Sequence, residues 1–128
     1  MAKTYSIAID GPAGAGKSTI ARRLAKELGF YYVDTGAIYR TVAYFMDLLG
    51  ISPKDADGVE RYIDELTISI EYDEEGVQHM IMNGMDVSDD IRTQDISQKA
   101  SLVSAHSVVR DVLLDMQRDV ARKHNVIM

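Results

Sequence analysis

Gly11-Pro12-Ala13-Gly14-Ala15-Gly16-Lys17-Ser18 fills the pattern G-x-x-x-x-G-K-[ST] without a gap. Before it, Tyr5-Ser6-Ile7-Ala8-Ile9 is short and largely apolar, as a buried parallel strand is. After it, Ile20, Ala21, Leu24, Ala25 and Leu28 recur at helical spacing up to Gly29, a natural helix stop. Strand, glycine loop and helix together predict a phosphate loop. Gly11, Gly14 and Gly16 let the backbone bend around an anion with several N–H groups in reach. The helix opening near Lys17 adds its partly positive N-terminus. Lys17 supplies a mobile charge for the β- and γ-phosphates, and the Ser18 hydroxyl can ligate Mg²⁺. The candidate ATP site is thus Gly11, Pro12, Ala13, Gly14, Ala15, Gly16, Lys17, Ser18 and the adjoining Thr19.

Length and composition narrow the rest. The chain has 128 residues, one domain by length and large enough for a core. Its net charge of −6 argues against a nucleic-acid footprint, which needs a basic face, but not against a nucleotide. The absence of cysteine excludes disulfides and thiolate metal sites. Met1-Ala2-Lys3-Thr4 leads straight into a strand, and no apolar run is long enough for a membrane span. A cytoplasmic protein without nucleic-acid or membrane partners is the expectation.

Tyr31-Tyr32-Val33 reads as a second core strand, and Thr35 as the cap of a helix carrying Ala37, Ile38, Val42, Phe45, Met46 and Leu49. Ser52 and Pro53 predict the start of a further helix running to about Leu66. From Leu66 the period changes to strict alternation through Tyr72, which predicts a half-buried antiparallel strand. Asp73-Glu74-Glu75-Gly76 turns the chain, Val77 to Met82 returns, and Asn83-Gly84 predicts a hairpin into Met85 to Val87. Thr93 caps a helix from Gln94 to about Val103, and a longer helix carries Val108, Val109, Val112, Leu113, Met116 and Val120. Val126-Ile127-Met128 reads as a buried strand just starting. A phosphate-loop fold needs about five parallel strands covered by helices. Two complete core strands and this stub therefore predict a piece of a longer protein, whose open edges favour self-association.

Four stretches together resemble the bacterial cytidylate (CMP) kinase family: Ile9 to Ser18, Asp34-Thr35-Gly36-Ala37-Ile38-Tyr39-Arg40, Val87-Ser88-Asp89-Asp90-Ile91-Arg92-Thr93, and the Ser101 to Arg110 pair. The resemblance covers the whole chain. It implies an α/β fold of the P-loop NTPase, nucleoside monophosphate kinase-like type: a parallel sheet with helices, incomplete here, plus a small antiparallel β insert. Residues 1–65 would be the first part of the core, 66–93 the monophosphate-binding insert, and 94–128 helices and the start of the next core strand. It implies γ-phosphoryl transfer from ATP to CMP or dCMP with Mg²⁺, by a whole protein that is a monomer. Lys17 and Arg40 would be catalytic, Ser18 the Mg²⁺ ligand, Thr35 and Arg40 contacts to the CMP phosphate, and Ser101 and Arg110 readers of the cytosine. An arginine fork suits cytosine O2 and N3, and a hydroxyl can accept from the amine. The family's Asp-Gly-Arg-Asp segment and arginine-bearing lid are not in this sequence, so the chain itself is expected to be at best a weak nucleotide binder. Two other readings stay open: a phosphate-loop kinase for another nucleoside monophosphate, and a nucleotide-binding module without catalysis.

Outside these motifs, Asp34 could orient a Mg²⁺-bound water, steady the loop, or serve as a turn or cap. Asp10 is expected to brace the loop. Arg92 could face the monophosphate or pair with Asp89 or Asp90. His79, His106 and His124 have no neighbours at metal-ligand spacing, and a structural or surface role is expected of them.

Overall fold

The computed structural model describes residues 4–9 and 17–128, with the backbone alone at Lys17 and Ser18. Asp10 and the glycines of the phosphate loop, Gly11 to Gly16, lie outside the described residues. Among the described residues a parallel sheet is formed by β1 (Ser6–Ile7), β2 (Tyr31–Tyr32) and β6 (Val126–Ile127), in the order β1-β6-β2. The last strand is therefore the central one. Val126 pairs with both Ser6 and Tyr31, and Ile127 with both Ile7 and Tyr32. Apolar residues on β6 suit that place, because a central parallel strand is covered on both faces, and Val126 and Ile127 are wholly buried. Backbone hydrogen bonds carry the pairing beyond these short strands, from Val126 N to Tyr5 O and from Ile9 N to Met128 O, both 3.0 Å.

Helix α1 (Lys17–Leu28) follows β1 and lays Ala21 and Ala25 on Ile127. The apolar stripe is narrower than the spacing suggests: Leu24 is partly buried, whereas Ile20 and Leu28 are exposed. Its end has both bonds of a Schellman stop, Phe30 N to Ala25 O at 2.8 Å and Gly29 N to Lys26 O at 3.4 Å. Gly29 takes the left-handed φ of +70° that this stop requires.

Helix α2 (Thr35–Leu48) is the hub of the largest core, with Ile38, Val42, Ala43 and Met46 all but inaccessible. Thr35 is not its cap, as the sequence suggested. Asp34 is extended, its carboxylate accepts from Ala37 N at 3.3 Å, and Thr35 is the first helical residue. The next helix also starts later than expected. The Ser52 hydroxyl accepts from Lys54 N, two residues on, forming a local turn instead of a cap. Asp55 then caps α3 (Ala56–Tyr62), and a 3-10 turn, Ile63–Glu65, completes the segment.

The alternating segment forms a meander of β3 (Ile68–Tyr72), β4 (Gln78–Met82) and β5 (Met85–Asp86), all antiparallel. Asn83 and Gly84 both take positive φ, 48° and 84°, as a two-residue type I′ turn demands. One face, with Met80 and Met82 buried, packs into the α2 core. After a 3-10 turn, Asp90–Arg92, Thr93 caps α4 (Gln94–Val103) through a 3.2 Å bond to Ile96 N. The final helix, α5 (Ser107–Lys123), buries Val109 in the α2 core and Val120 under the parallel sheet. His106, just before it, bonds through Nε2 to the Pro53 carbonyl at 2.7 Å. His124, just after it, meets the edges of the Tyr31 and Tyr72 rings.

Candidate functional site

The site is built where β2 gives way to α2. Asp34 caps the helix with one carboxylate oxygen and receives Arg40 Nη2 with the other at 3.2 Å. The cap leaves the first turn tight, so residues 34, 36 and 40 come together on one side of it. A Cβ on Gly36 would stand 3.0 Å from Arg40 Nη1 and 3.2 Å from Asp34 Oδ1. Glycine is thus what lets the guanidinium lie against this turn.

Three guanidinium-bearing residues line one hollow of about 320 Å³: Arg22 from α1, Arg40 from α2 and Arg92 from the turn after the meander. Among the described residues, Asp34 is the only carboxylate-bearing one on its wall, with Gln78, Ser88 and apolar groups making up the remainder. The balance is strongly positive, which suits a phosphate and disfavours a cation. Arg22 also lies over the Tyr32 ring, 5.2 Å from its centre, and burial raises the Tyr32 hydroxyl pKa, with Asp34 adding to the rise. Arg92 makes no ion pair with Asp89 or Asp90; its backbone N–H bonds to Asp89 O at 3.3 Å.

Arg40 also lines a second, smaller hollow of about 240 Å³ with Gly36, Tyr39, Ser97, Ala100, Ser101 and Ser104. Ser101 and Arg40 are therefore brought to one place from two helices. The Ser101 hydroxyl bonds back to Ser97 O at 3.3 Å in the meantime. Arg110 is exposed on α5 and lines neither hollow, and Thr35, half-buried on the first turn of α2, lines neither as well. Lys17 and Ser18 open α1 and Thr19 is exposed beside them, while Gly11, Pro12, Ala13, Gly14, Ala15 and Gly16 are outside the described residues.

Two wall residues escaped the sequence reading. Arg22 stands in the second turn of α1 beside Arg23, where a pair of arginines on a helix reads as solvated residues. Gln78 receives Asp34 N on its Oε1 at 2.8 Å and donates through Nε2 to Asp34 O at 3.2 Å. Nothing local marks it, since its partner is 44 positions away.

His79 sits outside this site, on the meander. Its Nε2 faces Asp73 Oδ2 at 3.0 Å and its Nδ1 faces Asp86 Oδ2 at 2.9 Å. These bonds, Asp73 first, raise the imidazole pKa above its ordinary value. Asp86 is held down to about 2, chiefly by the Ser88 hydroxyl and N–H, then by His79. Asp73 is lowered chiefly by the Val77 N–H. The ring joins the β3–β4 turn to β5. Among the described residues, no group of three or more acidic or imidazole side chains is arranged to hold a metal, and no helix is long and apolar enough to cross a membrane.

Against known proteins, the family model described as Cytidylate kinase matches residues 7–128. A cytidylate kinase of Exiguobacterium is 44% identical over 128 residues, all of this chain and 57% of the relative. One from Bacillus cereus is 43% identical over 131 aligned positions, again with the whole chain covered and 56% of the relative. A bifunctional pantoate ligase/cytidylate kinase of Synechococcus is 39% identical over 127 residues, 99% of this chain and 26% of that protein. The chain spans a little over half the length of the single-function relatives it matches.

Proposed function

The chain belongs to the cytidylate kinase family, and from that premise we propose that the whole protein transfers the γ-phosphoryl group of ATP to CMP or dCMP. The observation that carries this reading is the hollow lined by Arg22, Arg40 and Arg92, with Asp34 as its one carboxylate among the described residues. Such a cluster is what a nucleoside monophosphate needs: several guanidinium forks for its phosphate, in reach of a helix that follows a phosphate loop. Phosphoryl transfer asks for positioning and charge neutralisation more than covalent help, because the transition state is loose.

In this reading the loop from Gly11 to Gly16, with Lys17, Ser18 and Thr19, holds the ATP phosphates, and Lys17 follows the charge as it moves. Arg40 and Thr35 hold the acceptor phosphate, with Arg22 and Arg92 as further cations. Ser18, in the first turn of α1, would hold Mg²⁺ through its hydroxyl, and the bound ion would supply neutralisation of the phosphate charge. Ser101 in the second hollow accepts from the cytosine amine, and Arg110 on the neighbouring helix donates to O2 and N3. The meander and its flanks, 66–93, act as the monophosphate-binding insert between 1–65 and 94–128. An acceptor panel tests this: the whole protein with MgATP and CMP, dCMP, UMP or AMP. ADP formation driven by CMP and dCMP above the others is the expected result. Equal use of all four, or none, would overturn the reading.

A further inference from the structure

We propose that Gln78 is a positioning residue for the acceptor arginine, pinning the β2–α2 junction by pairing its side-chain amide with both backbone polar groups of Asp34. The inference rests on the acceptor reading of the Arg40 hollow. Its geometry is reciprocal: Asp34 N donates to Gln78 Oε1 at 2.8 Å, and Gln78 Nε2 donates to Asp34 O at 3.2 Å. Among side chains in their ordinary neutral-pH forms, only a primary amide offers a donor and an acceptor side by side in this way. The amide is held from its own strand too, since Nε2 also lies 3.2 Å from the sulfur of Met80.

The grip is wider than one residue. Gln78 pairs with Tyr72 in the last rung of the β3–β4 ladder, and the Tyr72 hydroxyl donates to Tyr32 O at 3.3 Å. The Tyr72 ring stacks on Tyr31 with centres 4.2 Å apart. One end of the antiparallel hairpin thus clasps the core at positions 31, 32 and 34. The next atoms along are the ones that matter for the acceptor: the Asp34 carboxylate caps α2 and takes Arg40. Without the amide, the half-buried N–H of Asp34 loses its partner and its carbonyl keeps only the 3.3 Å bond from Ala37 N. The junction then samples more than one orientation, and the Arg40 guanidinium is no longer delivered to one place. Displacements of about 1 Å at such a point can cost about a hundredfold in rate.

The test is steady-state kinetics of the whole protein carrying Gln78→Met, which keeps the bulk and removes both bonds, alone and combined with Arg40→Ala. KM for CMP is expected to rise about tenfold, the worth of the lost hydrogen bonds, while KM for ATP holds. In the Arg40→Ala background the Gln78 substitution should have no further effect on CMP, because it acts through that arginine. An equal effect in both backgrounds, or equal losses for CMP and ATP, would overturn the inference and make Gln78 a stability residue. If Gln78→Met does not fold, Gln78→Asn, a neutral amide one methylene too short to reach both groups of Asp34, takes its place with the same expectations. An Arg40→Ala variant whose KM for CMP is unchanged would instead remove the acceptor reading, and this inference with it, without reference to Gln78.

Discussion

Arg40 Nη2 donates to Asp34 Oδ2 at 3.2 Å across a helix start at which residue 36 has no side chain. The two partners keep about a quarter and a third of their side-chain surface in solvent. An ion pair so exposed contributes at most about 1 kcal/mol to stability. Its consequence is directional: the carboxylate that starts α2 also decides where the guanidinium lies.

Gly36→Ala separates direction from stability. Alanine favours a helix over glycine by up to about 1 kcal/mol, so the melting temperature should hold or rise. The new Cβ must push Arg40 or Asp34 aside by a few tenths of an ångström, given separations of 3.0 and 3.2 Å. KM for CMP should therefore increase while thermal stability does not fall. Melting curves and kinetics on the same preparation check this, and an unaltered KM would contradict it.

The identity of the α2 cap makes a second contrast. Asp34→Ala removes the side chain that accepts from Ala37 N and should destabilise the protein by about 1 kcal/mol. Thr35→Ala removes no cap and should stay within about 0.5 kcal/mol of the parent in denaturant titrations. Equal losses from the two substitutions would reverse the assignment.

His79 gives the small sheet a pH dependence of known sign. Both ring nitrogens face carboxylates, so only the protonated ring can donate to Asp73 and Asp86 together. The folded chain then holds the proton more tightly than the unfolded one, whose His pKa is about 6.5. This contribution is whole below that value and fades as pH rises through the raised one. Asp86 acts in the opposite sense, its contribution present above its ordinary 3.8 and lost as pH falls toward about 2. Melting temperatures from about pH 5 to about pH 9 should fall more steeply for the parent than for His79→Gln. Parallel curves would show that the clasp does not titrate as described.

The proposed function puts Arg110 on the base and not on the phosphate. Arg110→Ala should raise KM for CMP and shrink the preference for CMP over UMP, with little change in melting temperature because the side chain is exposed. Loss of one charged, bidentate contact is worth about tenfold to a hundredfold in such discrimination. A CMP-to-UMP ratio equal to that of the parent would take the cytosine assignment away from Arg110.

Local chemistry carried much of this molecule into view. The strand-to-helix setting of Lys17, the type I′ turn at Asn83-Gly84 and the Thr93 cap each depend on residues a few positions apart, and each is where the pattern puts it. Choices between neighbouring candidates were harder. Thr35 and Asp34 can both cap, and what decides is that Asp34 is held extended at the end of β2 by a glutamine from another sheet. Ser52 and Asp55 can both cap as well, and Ser52 is already occupied two residues on. The central place of β6 and the meeting of Arg22, Arg40 and Arg92 follow from chain crossovers, which no short stretch encodes.

The most direct measurement is CMP-dependent ADP formation from MgATP by the whole protein, parent beside Arg40→Ala. Turnover by the parent that demands CMP, with kcat/KM for CMP falling by about a hundredfold or more in the variant, is the predicted result. CMP-dependent turnover at the same kcat/KM in both proteins would contradict the placement of the acceptor phosphate on Arg40.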